Sequence, residues 1–162
     1  NKRYLAGLPL EQVIAELVQF DDLAGGELRG VPITRLQGIV TLLRGEVATL
    51  SEMVAMIVRV TKKPELSGEQ LLLFFGGDKA MLLAVTETLL GEFGTSDSLE
   101  ECFERYKASL VTQKIPQKLG LSTLRYLVTG GLTGYAIGDL LRVVPAAQLR
   151  ERITQGCAAL LV

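Results

Sequence analysis

LGLSTLRYLVTGGLTGYAIGDLL, Leu119 to Leu141, sets a basic side chain, an aromatic and a glycine-interrupted turn between two helical patterns. Arg125 is its centre. It stands one helical turn before Thr129-Gly130-Gly131, so its guanidinium can lean over the bend, where glycines without a Cβ let a flat ligand approach the backbone. Such a ledge suits an unpaired nucleobase, whose edge takes two bonds from a guanidinium and whose face stacks on it. The same pattern also fits a helical arginine paired with a carboxylate such as Asp139. Neither here nor elsewhere do apolar and polar residues alternate for long enough to make a sheet, so the fold class is all-α.

Working outward, Pro116, Gly120 and Gly130-Gly131 bracket the helix that carries Arg125. A short helix follows Gly134-Tyr135, and a last one runs from Pro145 through Leu160. Upstream, Ser98-Leu99-Glu100-Glu101 has the spacing of a capping box, in which a hydroxyl and a carboxylate bond each other's orphan N–H groups. Its helix carries Leu99, Cys102, Phe103, Tyr106 and Leu110 on one stripe. Ser67-Gly68-Glu69-Gln70 is a second box, whose short helix Gly76-Gly77 interrupts, and Asp78 caps a helix running toward Phe93. Thr49-Leu50-Ser51-Glu52 is a third, with Leu50, Met53, Val54, Ile57 and Val58 inside. Leu8-Pro9 opens a helix with Leu10, Val13, Ile14, Leu17 and Val18 inside, ended by Asp21-Asp22 and the glycines beyond. Pro32 opens another with Ile33, Leu36, Ile39, Val40 and Leu43. Between these groups Thr61-Lys62-Lys63-Pro64-Glu65-Leu66 reads as a linker, since Pro64 keeps Lys63 out of the helical region. The expected organisation is two small helical bundles in tandem, 1–62 and 63–162.

Apolar residues make up 48% of the 162, enough to bury a core in one domain or two small ones. The apolar runs fall far short of the ~20 residues of a membrane span, and no charged-then-apolar leader is present, so a cytoplasmic protein with no membrane partner is expected. The missing initiator Met reads as a piece of a longer polypeptide. With no histidine, the chain cannot carry a Ser-His-Asp triad, a Cys-His pair or a Cys2His2 zinc site. Cys102 and Cys157 fall in helical segments of an otherwise unstapled sequence, which predicts buried free thiols. A net charge of -1 argues against a generic nucleic-acid binder. Yet from residue 101 onward eight basic residues face four acidic ones, which suits a module touching nucleic acid at one end.

The segment Lys118-Leu119-Gly120, Leu124-Arg125-Tyr126-Leu127-Val128-Thr129-Gly130, Ile137-Gly138-Asp139-Leu140-Leu141 resembles the end of bacterial glutamyl-tRNA synthetases, whose pattern there is KLG…PLR-x-x-LTG…P-x-L-x-E-x-L. Asn1-Lys2-Arg3-Tyr4-Leu5 with Leu10-Glu11-Gln12-Val13 is similar to that family's LN-x-x-YI…LEE segment. Leu42 to Met53, LLRGEVATLSEM, is similar to its LL-x-x-R-x-x-TL-x-E segment. The resemblance implies an anticodon-binding region, its C-terminal helical part included, that selects tRNA for ATP-dependent attachment of glutamate. This family binds ATP through an H-I-G-H element, which a chain without histidine lacks. The catalytic half, with its ATP and magnesium, is therefore expected elsewhere in the same polypeptide, and this piece is expected to be a monomer with no cofactor of its own.

The resemblance further implies that Arg125 contacts the first two anticodon bases, with Thr129, Gly134, Tyr135 and Ile137 lining the loop beside it. Gly134-Tyr135 stands where the family has Thr-Pro or Ser-Pro, and a stacked Tyr135 would contribute ~1–3 kcal/mol. Glu46 stands where the family commonly has an arginine that reads the third base, with Arg44 two residues earlier on another face. A carboxylate accepts rather than donates, so it suits cytosine N4 or the N1 and N2 donors of an unpaired guanine. That leaves glutamate and glutamine tRNA both open. Lys62, Lys63, Lys114 and Lys118 are phosphate contacts if RNA binds, and otherwise ordinary surface lysines. The rival class is a helical protein-interaction module without RNA. Two related readings are a paralogue acting on glutamine tRNA and a free-standing regulatory relative of the synthetase.

Overall fold

The computed structural model describes residues 2–132 and 136–160. Among these residues every regular element is an α-helix, so the protein is all-α. It divides into two compact units, Asn1–Lys62 and Lys63–Val162.

The first unit contains α1 (Lys2–Gly7), α2 (Leu10–Ala24), α3 (Ile33–Leu43) and α4 (Leu50–Thr61). α2 packs on α3 and α4, which pack on each other, burying Val13, Ile14, Leu17, Leu36, Ile39, Val40, Met53 and Ile57. Two expected core residues lie outside it: Val18 is 39% exposed and Ile33 53%. Val18 follows the buried Leu17 by about 100° of helix rotation, and Ile33 sits in the first turn beyond the face of Leu36 and Val40. The expected Thr49 box is present in full. Its hydroxyl accepts from Glu52 N at 3.1 Å, while the Glu52 carboxylate accepts from Ala48 N and Thr49 N. Asp21 is buried at the end of α2. Its Oδ2 accepts from Leu28 N at 2.9 Å and its carbonyl from Gly25 N and Gly26 N, folding the loop back so that Leu28 joins the core.

The second unit contains α5 (Gly68–Phe74), α6 (Lys79–Phe93), α7 (Leu99–Thr112), α8 (Gln117–Thr129), α9 (Ile137–Val143) and α10 (Ala146–Leu160). α6 meets α7, α8 and α10, and α8 also meets α7, α9 and α10. α8 is therefore central, and it carries the candidate site. Gly120 lies inside α8 rather than before it. There it permits close packing on α7, where Tyr106 donates its hydroxyl to the Gly120 carbonyl at 2.7 Å. The Ser67 cap is completed from a distance: Ser67 Oγ accepts from Gln70 N, while Ser67 N donates to the Tyr126 hydroxyl at 2.7 Å. Tyr126 thus does for Ser67 N–H what the side chain at the fourth position does in a local capping box. Both cysteines are buried and free, and burial raises the Cys157 pKa to about 12.

Candidate functional site

The candidate ledge is the C-terminal end of α8. Gly130 ends the helix at φ +76°, a left-handed conformation open to a residue without Cβ, and its N–H bonds the Tyr126 carbonyl at 2.8 Å. Arg125 is half-buried on this helix. Its Nη1 donates to the Leu132 carbonyl at 3.1 Å, so the guanidinium reaches over the bend that follows. Burial lowers its pKa, but a guanidinium starts so high that it remains a cation at neutral pH. Asp139, the carboxylate considered for it in the sequence, has Arg142 Nη1 at 3.8 Å.

Thr129 and Ile137 are both buried. The Thr129 hydroxyl donates to the Arg125 carbonyl at 2.9 Å and accepts from Gly131 N at 3.2 Å, and the residue is buried. These bonds fix the bend. Ile137 is buried at the start of α9. Gly134 and Tyr135 lie outside the described residues. Tyr126, about 100° of helix rotation from Arg125, is buried in the core.

Arg44 and Glu46 belong to the first unit. Arg44 Nη1 donates to the Leu8 carbonyl at 3.0 Å, holding the α1–α2 connection on the end of α3, so its visible work is structural. Glu46 is exposed and lines an open groove of about 400 Å³ together with Val47, Glu52, Ala55, Met56 and Arg59. Arg59 escaped the sequence reading. The signal for it was the seven-residue step from Glu52, two turns along one face of α4, which returns a donor to the groove where Glu46 supplies an acceptor.

The basic excess beyond residue 101 is partly neutralised. Arg105 pairs with Glu92 at 3.1 Å and Asp97 at 2.7 Å, and Lys107 with Glu104 at 2.8 Å. Arg150 donates to the carbonyl of Phe93 at the end of α6 and to those of Thr95 and Asp97 in the loop that follows, and Arg152 donates to the Val128 carbonyl at 2.9 Å. Lys114 and Lys118 are exposed and form no ion pair among the described residues, which suits them to phosphate.

Among the described residues no group of three or more His, Cys, Asp or Glu is placed to hold a metal, and no helix is long and apolar enough to cross a membrane. The sequence matches no protein-family model and no curated protein.

Proposed function

We propose that this chain is a tRNA anticodon-binding region of a glutamyl-tRNA synthetase, selecting tRNA for a catalytic half that attaches glutamate at the expense of ATP. The observation that carries this reading is Arg125. Its half-exposed guanidinium reaches over a glycine-rich bend, where it bonds the Leu132 carbonyl, and its planar fork suits a base edge. Thr129 and Gly130 hold the bend from behind. Lys114 and Lys118 add positive charge on the same unit, and charge of that kind positions a nucleic acid without reading it. In the first unit, Glu46 and Arg59 line one groove with an acceptor and a donor, the pair of functions a third base would require.

A helical protein-interaction module is the second reading. It is favoured by Leu23 at 85% exposed and Leu73 at 80% exposed, since such side chains suit a protein contact better than RNA. Titration with a glutamate anticodon stem-loop and with the same stem carrying a scrambled loop separates the two. The RNA reading expects loop-dependent binding that weakens with salt. Equal binding to both loops, or none to either, would favour the protein module. Glu46→Arg, compared on glutamate and glutamine stem-loops, assigns the groove: unchanged discrimination removes Glu46 from the site.

A further inference from the structure

A second cleft lies within the second unit, between the segment that begins it and α10. It encloses about 180 Å³ and is lined by Lys63, Pro64, Leu66, Leu127, Arg152, Gln155, Gly156 and Ala159. Two cations and an amide face it, and among the described residues no carboxylate lines it. Lys63 is exposed at the mouth, where Nζ donates to Gln155 Oε1, and Gln155 Nε2 in turn donates to Glu151 Oε1 at 2.9 Å. That relay holds the ammonium over the opening. Arg152, 7% exposed, reaches the wall from α10 while Nη1 bonds the Val128 carbonyl. The remaining wall, Leu66, Leu127 and Ala159, is apolar and offers a flat ring a surface.

We propose that this cleft binds a phosphate-bearing nucleotide, its phosphate between Lys63 and Arg152 and its base against Leu66, Leu127 and Ala159. The chemistry follows from the lining: lysine is a compact point charge, arginine a fork for phosphate oxygens, and charge-assisted bonds of this kind are the strong ones. One side is open to solvent, so a ribose can continue outward into a longer strand. The cleft also borders the Arg125 bend, because Pro64 packs on Gly130, 3.1 Å from where a Cβ would stand. The source of the phosphate is therefore a free nucleotide or an RNA strand, and the proposal does not depend on the anticodon reading.

The test is an amide NMR titration of the whole chain with AMP, with adenosine and with an anticodon stem-loop, following Gln155 and Gly156. AMP should shift both resonances saturably, and adenosine should bind about tenfold more weakly for want of its charged partner. Lys63→Met should weaken AMP by about the same factor with the thermal midpoint unchanged, since Lys63 is exposed. Competition between AMP and the stem-loop for these resonances would support the cleft with RNA as the source, and a response to AMP alone would support it with a free nucleotide. No saturable shift with AMP, or Lys63→Met binding AMP as the wild type does, overturns the proposal. Either failure leaves the Arg125 reading intact, because that is read on loop-dependent RNA binding.

Discussion

Replacing Gly120 by alanine tests how closely α7 holds α8, and through it the bend at Arg125. A methyl group there would lie 2.8 Å from Leu110 Cδ2 and 3.1 Å from its Cγ, with Cδ1 nearer still. Leu110 is fully buried, so its methyls have no open space to turn into. Helix propensity alone would make the substitution stabilising by about 1 kcal/mol, while overpacking a filled core costs about 1–3 kcal/mol. Overlap with two methyl groups at once places the cost in the upper part of that range, and a net loss of about 1–2 kcal/mol is expected. The background decides the sign. Leu110→Ala alone should cost about 2–5 kcal/mol, but once those methyls are gone the propensity gain remains, and Gly120→Ala should then stabilise by about 1 kcal/mol. Urea unfolding of the four proteins in the cycle reads both numbers from the midpoints, provided the slopes agree. An increase in stability from Gly120→Ala in the wild type, or the same effect in both backgrounds, would refute the packing argument.

Thr49→Ala removes the acceptor for Glu52 N and should cost about 1 kcal/mol, read as a lower urea midpoint; an unchanged midpoint would mean that the box is decorative. Lys114 holds φ at +57° between α7 and α8, so Lys114→Gly should stabilise by about 1 kcal/mol, and a loss would show that its side chain matters more than its backbone. Burial raises the pKa of Cys157 to about 12 from an ordinary 9.0, and Tyr106 is also raised by burial. Their stabilising share is complete below the unfolded value and fades above it, as the unfolded chain ionises first. Stability should therefore fall by about 1.4 kcal/mol per pH unit for Cys157 between about pH 9 and 12, with Tyr106 adding to the slope above its own ordinary value. Urea midpoints that stay level from about pH 8 to about 10.5 would contradict this.

Helix starts were legible because their determinants are local. Thr49, Ser67, Asp78 and Ser98 cap the helices that follow them through their own side chains, and Pro9, Pro32 and Pro116 stand at the predicted openings. Gly120 was misread as a boundary because its reason is non-local: the space it leaves is filled by Leu110 on another helix. α1 was not read as a helix, since its six residues are too few to display a period. The partners of the arginines were illegible for the same non-local reason. Nothing near Arg150 in the sequence announces carbonyls more than fifty residues earlier, and net charge counts such a side chain as free. Arg125 was legible because its bend begins one turn away on the same helix. Thr129 was readable as part of that bend, but the inward direction of its hydroxyl was not.

In the proposed anticodon-binding role, the Arg125 guanidinium meets a nucleobase at the end of α8. Arg125→Ala, titrated against the glutamate anticodon stem-loop at fixed salt, addresses it directly. A loss of about 1–3 kcal/mol in binding is expected, with the scrambled loop unaffected. Wild-type affinity for the correct loop would contradict it.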